Sequence, residues 1–187
     1  MITPEYLENF EESLQKILIE KCNSAGFIDG NILLVEELDE IWKESAPEYL
    51  ADAMPLLSDY PTVAMAWAAY FGMAMAAIWD GSWEEYQNRK GIYIAMRDVR
   101  GFDNMDEYII EELLGLTLES DYNQKLEAML LSLARAAVSH ILKEQIEAQT
   151  SEAFYIMAST VKIMFKIGIS IELKELGYKY EKVVVGS

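Results

Sequence analysis

The chain has 187 residues, 52% of them apolar and 25% charged, which fits one folded domain with a sizeable core and excludes a disordered chain. Acidic residues number 32 and basic ones 15, a formal net charge of -17. A field of that sign repels phosphate backbones and anionic membrane surfaces, so neither nucleic acid nor a membrane is an expected partner; basic partners or metal cations are favoured, and the plainer reading of the charge is solubility.

The elements read as helices nearly throughout. Thr3, Pro4 and Glu5 supply a hydroxyl cap, a proline at the first helical position and an acid at the positive end of the dipole. Leu7, Phe10, Leu14, Ile17 and Leu18 then recur at helical spacing, with Gly26 as the stop. A second helix is predicted from about Asn31 to Glu44, with Val35, Leu38 and Trp42 facing inward. A short third one opens at Ser45-Ala46-Pro47-Glu48 and is limited by Pro55. Asp59-Tyr60-Pro61 opens an apolar helix that Asp80-Gly81 closes. Ser82 and Glu85 form an S-x-x-E capping box, so another helix is expected to reach about Val99, with a break at Gly91.

Residues 101–104 read as a loop, and Asn104 caps a helix to about Leu116. From Asp121 to Gln149 runs the longest candidate, with Tyr122, Leu126, Met129, Leu130, Leu133, Ala137 and Ile141 as one stripe. A last helix is expected from Ser151 to Leu176, with Gly168 weakening its middle and Gly177 ending it. The prediction is a single all-helical domain over 1–177, an irregular bundle of about seven or eight helices around the apolar helix near 61–80. The segment 178–187 is expected to be an extended or disordered tail.

The apolar stretch from Thr62 to Trp79 holds eighteen uncharged residues, the lower limit for a membrane span. Its many alanines make it only moderately hydrophobic, and no lysine or arginine lies near its start to set an orientation. At four-residue steps Val63, Trp67, Phe71, Met75 and Trp79 form a bulky row, and Ala64, Ala68, Gly72 and Ala76 a small one beside it. Such a ridge and groove suit close packing of a second helix, so a buried central helix is expected, with Trp67, Phe71 and Met75 in the core. A pocket wall or dimer seam is the alternative use of the same face, since Met65, Met73 and Met75 are adaptable in shape.

Little in the chain carries recognisable chemistry. The single cysteine, Cys22, precludes an internal disulfide and fits a reducing cytoplasm, where it is expected to be a structural thiol. The first fifteen residues show no basic or apolar leader pattern. One histidine, His140, rules out multi-histidine metal centres. It is expected to be a structural residue hydrogen-bonded to a neighbour, with a base or ligand role beside Glu144 and Glu147 as the weaker reading. No phosphate loop, dinucleotide fingerprint or nucleophile elbow occurs, so no catalytic residue, cofactor or metal is assigned.

The local reversal of charge is Arg89, Lys90, Arg97 and Arg100, directly after the aromatic corner of Trp79, Trp83 and Tyr86. With so many acids available the arginines are expected mainly in salt bridges. The other reading makes Trp79, Trp83, Tyr86, Arg89, Arg97 and Arg100 a pocket for a small anion. Two functions therefore compete: a non-catalytic cytoplasmic protein that binds another protein or its own copy, and a small-anion binding protein or enzyme with its pocket at that corner.

Overall fold

The computed structural model describes residues 2–179 and contains, among them, seven α-helices and no strand. Helix α1 spans Pro4–Ser24, α2 Glu36–Ala53, α3 Pro61–Tyr86, α4 Ile92–Arg97, α5 Met105–Tyr108, α6 Asp121–Lys143 and α7 Ser151–Glu175. Most of the tail expected at 178–187 lies outside the described residues.

Local chemistry sets most boundaries. The Thr3, Ser120 and Thr150 hydroxyls each accept a hydrogen bond from the backbone N–H of the third residue of the helix that follows. Two predicted helices merge into α2, which runs through Pro47. Proline removes one helical hydrogen bond, but Leu38, Ile41, Trp42, Ser45, Tyr49 and Ala53 form an unbroken buried stripe on both sides of it. Burying that stripe outweighs the lost bond. The Tyr49 hydroxyl, at the far end, donates to the Ala64 carbonyl of α3.

The capping box at Ser82 is not used as one. α3 continues to Tyr86 across a kink, with Ser82 at φ -152° and ψ 31°. Gly91, at φ 69°, then starts the short α4, so the predicted helix reaching Val99 is two pieces. After α5 the chain widens into a π-helical turn, Ile109–Leu113, instead of continuing as α-helix to Leu116. Gln145 and Gln149 adopt φ of 52° and 64°, which ends α6 at Lys143, six residues earlier than predicted. Glutamine gives no sequence sign of a left-handed stop, since glycine or asparagine usually supplies one.

The centre of the molecule is a helix pair. α3 and α7 make the most extensive contact of any two elements, and they run in the same direction, since Phe71 meets Phe165 and, farther on, Trp79 meets Tyr178 just beyond α7. A Cβ placed on Gly72 would lie 2.1 Å from the Phe165 carbonyl oxygen, and one on Gly168 would lie 2.0 Å from that of Ala69. The two backbones therefore touch where glycine removes the side chain. Gly168 does not weaken α7; it is the complement of Gly72. The row Ala64, Ala68, Gly72 and Ala76 is wholly buried, and in the bulky row Phe71 and Met75 are buried while Trp67 is partly so.

The molecule thus has two central helices where the sequence predicts one. Polar residues disguise α7, and its partners explain them. The Thr160 hydroxyl donates to the Ile156 carbonyl at 2.7 Å. Ser170 accepts from the Leu33 N–H and lies 2.9 Å from the Leu33 carbonyl. By length and composition α3 and α7 could each cross a membrane, yet 72% of each apolar window is buried inside the fold. α1, α2 and α6 close around this pair.

Candidate functional site

The six residues of the predicted corner are dispersed over several environments. Trp79 packs 5.4 Å from the Tyr178 ring, whose hydroxyl donates to Asp80 at 2.7 Å. Trp83 is partly buried against the core. The Arg89 guanidinium lies 4.8 Å over the Tyr86 ring. Arg97 reaches back to α2, where it holds Asp52 at 3.1 Å, and also grips Asp98 at 2.9 Å. The Tyr93 hydroxyl donates to the same Asp52 at 2.5 Å, so this carboxylate ties α4 to α2. Arg100 turns to Glu111 and Glu112, at 2.7 and 3.6 Å. Hydrogen bonds to these acids raise the pKa of Arg97 and of Arg100, the signature of cations already held by anions. Tyr86 and Arg89 are brought together; Arg97 and Arg100 are held by carboxylates on other elements.

His140 differs from its expected role. Among the described residues neither ring nitrogen has a hydrogen-bond partner. The ring instead packs against Phe10, with centroids 5.1 Å apart, and burial lowers its pKa. Glu144, one turn on, accepts from the Tyr6 hydroxyl of α1. The histidine is an apolar spacer between α1 and α6. Cys22 is fully buried, and burial pushes its pKa up to about 12, so it stays an inert thiol.

A cleft that sequence reading does not single out lies between α3, α5 and α6, with a volume of about 270 Å³. One wall is α3, where Val63, Ala66, Trp67 and Tyr70 share a face by their spacing. The Trp67 indole N–H donates to the Phe102 carbonyl at 2.8 Å, which fixes the ring, and Tyr70 meets it edge-on at 5.8 Å. Opposite stand Leu130 and Leu131 of α6, the latter 39% exposed at the rim.

Two carboxylates enter this apolar cleft, Asp106 from α5 and Glu127 from α6. Glu127 accepts from the Asn123 amide at 3.0 Å, and neither acid pairs with a lysine or arginine among the described residues. Burial, aided by the nearby Glu107 and Glu127 charges, pushes the Asp106 carboxyl up to about 6. Burial and both acids likewise raise Tyr70, which is only 3% exposed and whose hydroxyl makes no hydrogen bond among the described residues. Among the described residues no three metal-ligating side chains come together. The cleft therefore offers a fixed aromatic wall, an aliphatic rim and uncompensated negative charge.

The signal for this cleft is spatial. Asp106 and Glu127 are 21 positions apart in sequence and share no motif. No known protein family, curated protein or solved structure matches the chain.

Proposed function

We propose that this is a non-catalytic, cytoplasmic helical protein that acts by binding another protein through the cleft between α3, α5 and α6. The observation that carries this reading is the cleft itself: an open apolar surface with Leu131 exposed at its rim and Trp67 locked in its wall. Fixed aromatic and aliphatic groups at the centre of a polar surface are how protein interfaces gain most of their affinity. The bulk charge supports a partner different from the chain itself, because two copies each at -17 repel. The anion-binding alternative at the Trp79–Arg100 corner has less support, since Arg97 and Arg100 are each held by carboxylates.

The test compares tagged full-length protein with its Leu131→Asp variant as bait, followed by quantitative mass spectrometry. A partner enriched with the wild type and at least about tenfold depleted with the variant is the expected result, a loss typical of a disrupted interface centre. Identical partner lists for both baits, with both proteins folded, would overturn the assignment of the cleft.

A further inference from the structure

We infer that the cleft between α3, α5 and α6 is a slot for a lysine side chain presented by a basic segment of the partner; this rests on the protein-binding reading above. Three oxygen acceptors line one cleft: the carboxylates of Asp106 and Glu127 and the hydroxyl of Tyr70. An ammonium group carries three donors and no acceptor, which matches such a lining.

Tyr70 supplies an independent observation. A phenol that is 97% buried normally finds a hydrogen-bond partner within the protein. Tyr70 has none among the described residues, although two carboxylates are close enough to shift its pKa. Its hydroxyl is not sealed in the core, in contrast to the equally unpartnered hydroxyl of Tyr122. Tyr70 lines the same cleft as both carboxylates, so a ligand N–H donor entering there approaches all three groups.

The walls choose the stem. Val63, Ala66 and Leu131 offer aliphatic surface to a four-carbon chain, and the fixed Trp67 ring offers its π system to a cation. The cleft is open to solvent at the Leu131 rim, which suits a side chain projecting from a larger body, whereas free small ligands are usually enclosed. The negative field of the whole chain would draw such a segment in.

The test is an NMR titration of the full chain, read at the Trp67 indole N–H and the Leu131 methyls. Three probes are used: a blocked peptide with one lysine between leucines, its acetyl-lysine twin, and butylamine. Saturable shifts with the lysine peptide are expected, with affinity about tenfold lower for the acetylated twin and about tenfold lower for Asp106→Asn and Glu127→Gln. Tyr70→Phe should weaken binding about threefold. Equal binding of the acetylated peptide would overturn the inference, as would unchanged affinity in the carboxylate variants or no shift at all. Butylamine binding as tightly as the peptide would also overturn it, by making this a small-amine site. Should Asp106→Asn fail to fold, the exposed Glu127→Gln carries the test. A partner captured through Leu131 that survives both carboxylate changes would remove the lysine and leave the protein-binding reading standing.

Discussion

Glu172 shows how much a single residue can be asked to tolerate. It sits in α7 at 7% exposure, facing Glu175 and Asp80, and burial followed by those two charges pushes its carboxyl up to about 8. Between its ordinary pKa of 4.5 and about 8 the folded chain holds a proton that the unfolded chain has released. Stability must therefore fall as pH rises through that window and level off above it. Glu172→Gln removes the ionisation while keeping the shape. The variant should melt several degrees above wild type at pH 8.5, a gap on the order of 3 kcal/mol, and match it near pH 4.5. A constant offset at both pH values, measured by calorimetry, would contradict this. His140 moves the other way: its lowered pKa favours the neutral ring, so its contribution is lost as pH falls below the ordinary 6.5. The Glu172 effect is invisible in sequence, where this acid looks like any other in an acidic chain.

Among the elements, the α3–α7 contact decides the architecture. A ridge beside a row of small residues is readable in α3, and it predicts a helix partner lying close. Which helix that would be is not readable. α7 carries Ser159, Thr160, Ser170 and three lysines, and only the fold shows Thr160 and Ser170 turned onto backbone carbonyls. Gly168 is likewise ambiguous until Ala69 is seen beneath it. Gly72→Ala forces a methyl to within 2.1 Å of a backbone oxygen that cannot swing away. Loss on the order of 3 kcal/mol or more is expected, and Gly168→Ala should behave alike. Gly81→Ala meets nothing within 4 Å and lies in helix, so it should be neutral or slightly stabilising. Urea melts that rank Gly81→Ala with the other two would show that the helices do not touch at these points. Pro47 teaches the converse: a proline marks a helix boundary only when the apolar stripe also stops there.

At the scale of the whole molecule, the all-helical class was legible because caps and apolar periodicity agree along most of the chain. The cleft was not. Its parts come from α3, α5 and α6, and the sequence offers Trp67 as core and singles out neither Asp106 nor Glu127. The arginines of the Trp79–Arg100 corner form instead ion pairs that hold α4 to α2 and reach Glu111 within the π turn. Charge density in sequence marks where electrostatics act; it does not mark which charges remain uncompensated once the chain has folded. Uncompensated charge beside a fixed aromatic wall is what distinguishes the cleft.

The most direct test of this account is site-specific photo-crosslinking in intact cells, with a benzophenone amino acid at Leu131 and, as control, at Leu142, which is 71% exposed and does not line the cleft. A discrete adduct with a basic protein from Leu131 and none from Leu142 is the predicted result. Equal adducts from both positions, or none from Leu131, would contradict the claim that this cleft is where the protein meets its partner.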